Sequence, residues 1–223
     1  MIIRTTQSNT EYQYSKYKPG DVFEVVNDFG DYYTAKIISG SEPGGILAVH
    51  KKDEYIGANP FPFIVFDNFF SEIYLNQILK DFPDLSKNKH SFEFNTKNDK
   101  KFCSTSSESF SDELHNFFNF LNSGIFLSFL QKITSIKEHL VSDPYLWGGG
   151  LHEIKKGGFL KIHADFNIHP KLKLNRRINI LIYLNKNWKE EWGGHLELWN
   201  KDMSKCVKKI LPVFNRVVIF NTN

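Results

Sequence analysis

Residues 151–199 read LHEIKKGGFLKIHADFNIHPKLKLNRRINILIYLNKNWKEEWGGHLELW. The glycine pairs Gly157-Gly158 and Gly193-Gly194 cut this stretch into short pieces. Between and after them, residues 159–165, 178–184 and 195–199 are rich in β-branched, leucine and aromatic side chains, which predicts strands. At the centre stands His163-Ala164-Asp165. In a strand, positions i and i+2 point to one face about 6.6 Å apart along the chain. A His and a carboxylate so placed can converge on a single metal ion. One further His would complete a two-His-one-carboxylate set, which leaves coordination positions open for other ligands. Eight His and twelve Asp among 223 residues predict about 0.4 such tripeptides by chance, so the tripeptide alone identifies nothing.

Outward from this centre, strands are also predicted at residues 145–147, 151–154 and 216–220, with a turn at Gly148-Gly149-Gly150. Upstream lie helical patterns. Ser71 is placed to cap a helix running to residue 82, where Tyr74, Ile78 and Phe82 recur at helical spacing before Pro83. Further helices fit residues 111–121 and 124–134, and residues 61–70 form an apolar, strand-like run. Residues 85–110 are polar and read as an exposed excursion. Helices followed by a run of antiparallel strands argue for an α+β, mainly β fold: a β-sandwich backed by helices.

The N-terminal quarter has a different texture. Residues 1–16 carry no periodicity, and strands are predicted at 21–26, 32–38 and 46–50, separated by turn-rich segments. With a linker at 55–60, this divides the chain into a small β module at 1–57 and a larger domain at 58–223. Residues 18–55 (PGDVFEVV, FGDYYTAKII, GGILAVHKKDE) resemble Tudor and other SH3-like modules. A β-meander packed on the next domain fits the same pattern.

Composition narrows the functional classes. Hydrophobic residues make up 41% and charged residues 24%, which is globular rather than disordered. A net charge of +3 is carried by scattered pairs, including Arg176-Arg177, read here as solvated surface charge; no basic stripe for nucleic acid is visible. No apolar run approaches membrane-spanning length, and the N-terminus turns polar at once. Cys103 and Cys206 are isolated, as expected of free thiols in a reducing, cytoplasmic setting.

The stretch from Asp143 to Trp199 resembles the prolyl-4-hydroxylase-like branch of the 2-oxoglutarate/Fe(II) oxygenases. Its landmarks fall in that family's order: the glycine turn 157–158, the HxD at 163–165, an Arg-led strand ending Tyr-Leu-Asn at 183–185, and Gly-Gly-x-Leu-x-Leu at 193–198. Residues 61–69 also look like the entry to that fold, so the resemblance covers 60–223. It implies a double-stranded β-helix, a jelly-roll relative. It also implies Fe(II) on His163 and Asp165, 2-oxoglutarate as cosubstrate, ascorbate as reductant, and hydroxylation of a peptidyl (prolyl among the options) or small-molecule C–H with release of succinate. The family's distal His and its basic anchor for 2-oxoglutarate follow a strand like 216–220, so the third metal ligand is expected beyond Asn223.

Other positions depart from the family pattern. A Tyr that often contacts 2-oxoglutarate would fall near Ile154, with His152 as a substitute on the same face; Asn179 stands where a pocket-facing Thr is frequent. His169, in the loop after HxD, and Trp192, with Trp188, are candidate substrate contacts. An ordinary loop histidine and packing aromatics are the competing readings. Two other functions fit the same residues: a peptide-binding protein without catalysis, and a cupin-like structural jelly roll.

Overall fold

The computed structural model describes residues 2–4, 22–28, 33–39, 45–105, 108, 110–143 and 145–222. A three-stranded antiparallel meander, β1 (Ile2–Arg4), β2 (Val22–Asp28) and β3 (Tyr33–Ser39), opens the chain. Two of its strands were expected. The third expected strand, at 46–50, is instead part of a helix, α1 (Gly45–Ile56). A short apolar run is ambiguous between strand and helix by pattern alone. Here the strong helix formers Lys51, Lys52 and Glu54 continue it without a turn signal. The expected SH3-like module therefore lacks its third strand, and its remaining connections lie outside the described residues. Tyr55, close to the expected domain boundary, is buried in the same core as the strands and helices that follow. Burial pushes its phenol up to about 12.

The larger part is a sheet covered on both faces. Its strands are β4 (Phe63–Phe66), β9 (Ile178–Tyr183) and β12 (Arg216–Asn221), in the order β4-β12-β9, all antiparallel. Because side chains alternate along a strand, each contributes to two cores. Ile64, Phe66, Val217 and Ile219 face the helices α2 (Glu72–Lys80), α3 (Asp112–Leu121) and α4 (Gly124–Thr134). Val218, with Phe63, Val65, Leu181 and Tyr183, faces the hairpin β10 (Leu196–Trp199) and β11 (Cys206–Ile210), which supplies Leu198 and Ile210. This is a jelly-roll-like sandwich backed by helices, as expected. Two helices are capped by serines: Ser111 and Ser123 accept hydrogen bonds from Leu114 N and Phe126 N. Ser71 precedes α2 without such a bond.

Two polar devices lock the apolar layers together. Asn215, 2% exposed, has a left-handed backbone (φ 62°) that Asn tolerates better than most residues. Its amide donates to Phe70 O (2.7 Å) and accepts from Phe70 N (2.8 Å), tying the β9–β12 side of the sheet to the entry of α2. Arg216 forks onto Asp67 through Nε (2.6 Å) and Nη2 (2.8 Å) at the same end of β4.

A second sheet precedes the segment that holds His163 and Asp165. It comprises β5 (Phe92–Asn95), β6 (Asp99–Ser104) and β7 (Leu151–Glu153) in that order, with β8 (Phe159–Leu160) pairing β6 beyond β7. The hairpin β5–β6 occupies the stretch read as a polar excursion. Its alternation of Phe92 and Phe94 with polar residues was masked by the surrounding Asn, Lys and Ser. β11 was likewise not anticipated, and the strand expected at 145–147 is a turn. There the Asp143 carboxylate accepts from Tyr145 N (3.0 Å) and Trp147 N (2.7 Å), competing with extended pairing.

Candidate metal centre

The segment expected to be a strand over 159–165 leaves the ladder early. After β8, Lys161 N donates to Asn98 O (2.9 Å), and no described strand pairs with the next four residues. His163 and Asp165 thus stand on irregular backbone rather than on one strand face. They nevertheless come together: His163 Nε2 lies 3.8 Å from Asp165 Oδ1. Local bonds orient both groups. His163 Nδ1 lies 2.7 Å from Lys161 O, which can only accept, so Nδ1 carries the proton. In the neutral ring Nε2 is then an unprotonated donor atom on the Asp165 side, the tautomer a metal requires. Asp165 Oδ2 accepts from Asn179 Nδ2 (3.1 Å) at the start of β9. Asp165 Oδ1 pairs with Arg176 Nη1 (3.3 Å).

The donors fit a divalent metal. With metal–ligand bonds of roughly 2.1 Å meeting near a right angle, Nε2 and Oδ1 would sit about 3 Å apart, a small tightening of the observed pair. Among the described residues, no group of three or more His, Cys, Asp or Glu is placed to hold an ion.

The surroundings are packed by small residues. Gly148 (φ 72°) lies against Phe166, the residue next but one to Ala164; a Cβ there would stand 2.5 Å from the ring. At Gly150 (φ 86°) a Cβ would meet Ser104 O at 2.3 Å, so β6 and this turn approach as closely as glycine alone permits. Phe166 in turn supports the Arg176 guanidinium, 4.5 Å from its ring centre. Arg176 was read from sequence as surface charge, and so was Arg177, which pairs with Glu138 (2.9 Å). Both are only partly exposed and engaged. A doubled arginine before a strand gives no hint of which carboxylate each will meet.

The other predicted site residues scatter. His152 on β7 lies opposite Cys103 on β6, and its Nε2 donates to Gly149 O (3.1 Å). It is solvent-accessible, yet surrounding protein together with Lys101 and Arg176 depresses its pKa. It borders the Asp165 neighbourhood through Arg176 without joining the metal pair. His169 is not the substrate contact expected: it is 8% exposed, and both ring nitrogens are occupied. Its Nε2 meets Asp143 Oδ1 (3.2 Å), while Nδ1 accepts from Lys171 N and Leu172 N. It latches the 166–175 loop onto the 143–147 turn. Trp192 is exposed and packs edge-on against Trp188 (5.5 Å). It follows the far end of β9, roughly 13 Å along the strand from Asn179 at its ordinary rise, and no contact among the described residues joins it to the metal pair.

Residues 149–223 match the sequence model of the 2OG-Fe(II) oxygenase superfamily. In fold, the chain is similar to a prolyl hydroxylase from Trichoplax adhaerens, solved in complex with a hypoxia inducible factor oxygen degradation domain peptide fragment. The TM-score is 0.52 at 18% identity, covering 79% of this chain and 78% of that one. A prolyl 4-hydroxylase from Phytophthora capsici superposes at a TM-score of 0.49 and 19% identity, covering 87% of this chain and 61% of that one. No characterised protein matches the chain by overall sequence. The last third of the chain thus carries the sequence pattern of the 2OG-Fe(II) oxygenase superfamily, and the likeness to the Trichoplax structure is one of fold.

Proposed function

We propose that this protein, which carries the 2OG-Fe(II) oxygenase pattern over residues 149–223, is an Fe(II)- and 2-oxoglutarate-dependent dioxygenase that hydroxylates a peptidyl C–H, prolyl among the options. One observation carries the reading: within the matched segment, His163 Nε2 stands 3.8 Å from Asp165 Oδ1, with Nδ1 turned to Lys161 O. His163 and Asp165 would hold the iron. Iron held there would supply the oxidising power for C–H hydroxylation, O2 giving one oxygen atom to the product and one to succinate as 2-oxoglutarate loses carbon dioxide, with ascorbate as reductant. The protein's own part is orientation. Lys161 O sets the His163 tautomer, Asn179 fixes the rotamer of Asp165, and Phe166 over Gly148 walls the site.

A peptide is favoured over a small molecule by the surface beside Asp165. Tyr145, Trp147 and Ile168 are exposed side by side around the His169 latch, and Lys171 Nζ lies 4.3 Å from the Tyr145 ring centre. An open aromatic face suits an extended chain better than an enclosed ligand. The Trichoplax relative in fold was itself solved with a peptide.

A second reading, a peptide-binding protein without catalysis, is favoured by the lack of a third ligating residue near the pair among the described residues. Succinate release with Fe(II), ascorbate, oxygen and 2-oxoglutarate separates the two. The dioxygenase forms succinate and loses it on Asp165→Ala; no succinate above the Asp165→Ala background leaves the binding reading.

A further inference from the structure

The carboxylate oxygen that faces His163 is the same one that Arg176 holds. Asp165 Oδ1 lies 3.8 Å from His163 Nε2 and 3.3 Å from Arg176 Nη1, while Oδ2 is taken by Asn179. A cation entering between His163 and Asp165 would share Oδ1 with a guanidinium that remains charged at any working pH. The side chains of Arg176 and Asp165 are only 15% and 23% exposed, so water screens this pair less than it would a surface pair. Arg176 also has another place to rest. Its guanidinium already packs on the Phe166 ring, and its backbone is fixed by bonds to Asn167 O (2.7 Å) and from Thr222 Oγ1 (3.1 Å). The side chain can therefore leave Oδ1 without moving the strand that follows.

We infer that Arg176 is a built-in competitor for the metal, a guanidinium placeholder that neutralises Asp165 until a divalent cation displaces it. This rests on the metal-site reading above and adds to it a positioning residue that tunes occupancy. An Arg that merely oriented Asp165 for the metal would make the opposite prediction, because its loss would weaken binding.

The test is Mn(II) binding to the full protein, followed by the electron paramagnetic resonance of free Mn(II). Arg176→Gln should bind Mn(II) about tenfold more tightly than the unsubstituted protein, a change of about 1.4 kcal/mol. Arg176→Lys, which keeps a cation, should stay within about twofold. In an Asp165→Ala background, Arg176→Gln should change nothing, since the contested oxygen is gone. Equal or weaker binding by Arg176→Gln, with Asp165→Ala still abolishing it, overturns the competitor and leaves the metal site standing. Mn(II) binding that survives Asp165→Ala overturns the metal site itself.

Discussion

The central strand β12 and the segment 159–165 are equally apolar to the eye, yet they are held by different physics. In β12, Val217, Val218 and Ile219 are fully buried, and both edges are hydrogen-bonded, to β4 and to β9. In the other segment, two residues pair with β6, one further bond follows, and Ile162 and His163 lie exposed. Burial on two faces leaves a strand no alternative register, because a one-residue slip would turn every side chain to the wrong core. A segment with no such faces takes whatever conformation its polar contacts dictate. The metal pair thus sits where packing constrains the chain least, and individual hydrogen bonds take over the positioning.

Core and site should therefore respond oppositely to truncation. Phe69 contacts the rings of Phe66, Phe70 and Phe129 at centroid distances of 5.2, 4.8 and 6.0 Å. Phe69→Ala should cost about 3–5 kcal/mol of stability, whereas His163→Ala should stay within roughly 0.5 kcal/mol. Urea denaturation of the two variants measures the contrast; a loss above about 2 kcal/mol for His163→Ala would make that residue structural and break it. Asn215 probes the middle ground, where a polar side chain does a core's work. Asn215→Ala strands Phe70 N and O in a buried site and puts a Cβ residue at positive φ. About 2–3 kcal/mol should be lost. Asn215→Gly should recover about 1 kcal/mol of this by relieving the backbone; no difference between the two would leave the hydrogen bonds as the whole effect.

The same division explains what could be read from the chain. The helices α2–α4 and strands β9, β10 and β12 were legible because their apolar spacing mirrors burial on defined faces. The hairpin β5–β6 was not, since Phe92 and Phe94 lie on an exposed edge strand where neighbouring Lys and Asn dominate the pattern. Residues 46–50 were misread because an apolar run of that length satisfies two periods. At the site, His163 and Asp165 were singled out together and lie 3.8 Å apart, although the strand-face argument did not survive; Asn179, read as a cofactor contact, is found donating to Asp165. Arg176 was not legible: ion pairing depends on a contact across a loop, which no local spacing encodes. His169 shows the reverse error, since a histidine in a loop looks available until Asp143 is found against it.

The smallest expected effect concerns the wall between the two sheets. Burial first, then the charge of Lys101, depresses the pKa of His152, while its bond to Gly149 O opposes this and Arg176 adds to the depression. A depressed folded value means that the unfolded chain takes up a proton first as pH falls. Stability is then complete above the ordinary histidine value of about 6.5 and declines as pH drops through it toward the folded value. The accessible position of the ring allows solvent to screen much of this, so the contribution should be a fraction of a kcal/mol. His152→Asn, which keeps a donor for Gly149 O, should flatten the fall in denaturation midpoint between about pH 6.5 and 5. The midpoint at pH 8 should barely move. A variant that lost stability equally at both pH values would mean that His152 acts through its hydrogen bond and packing alone. The wall beside Arg176 would then behave like the β12 core rather than like the metal segment it borders.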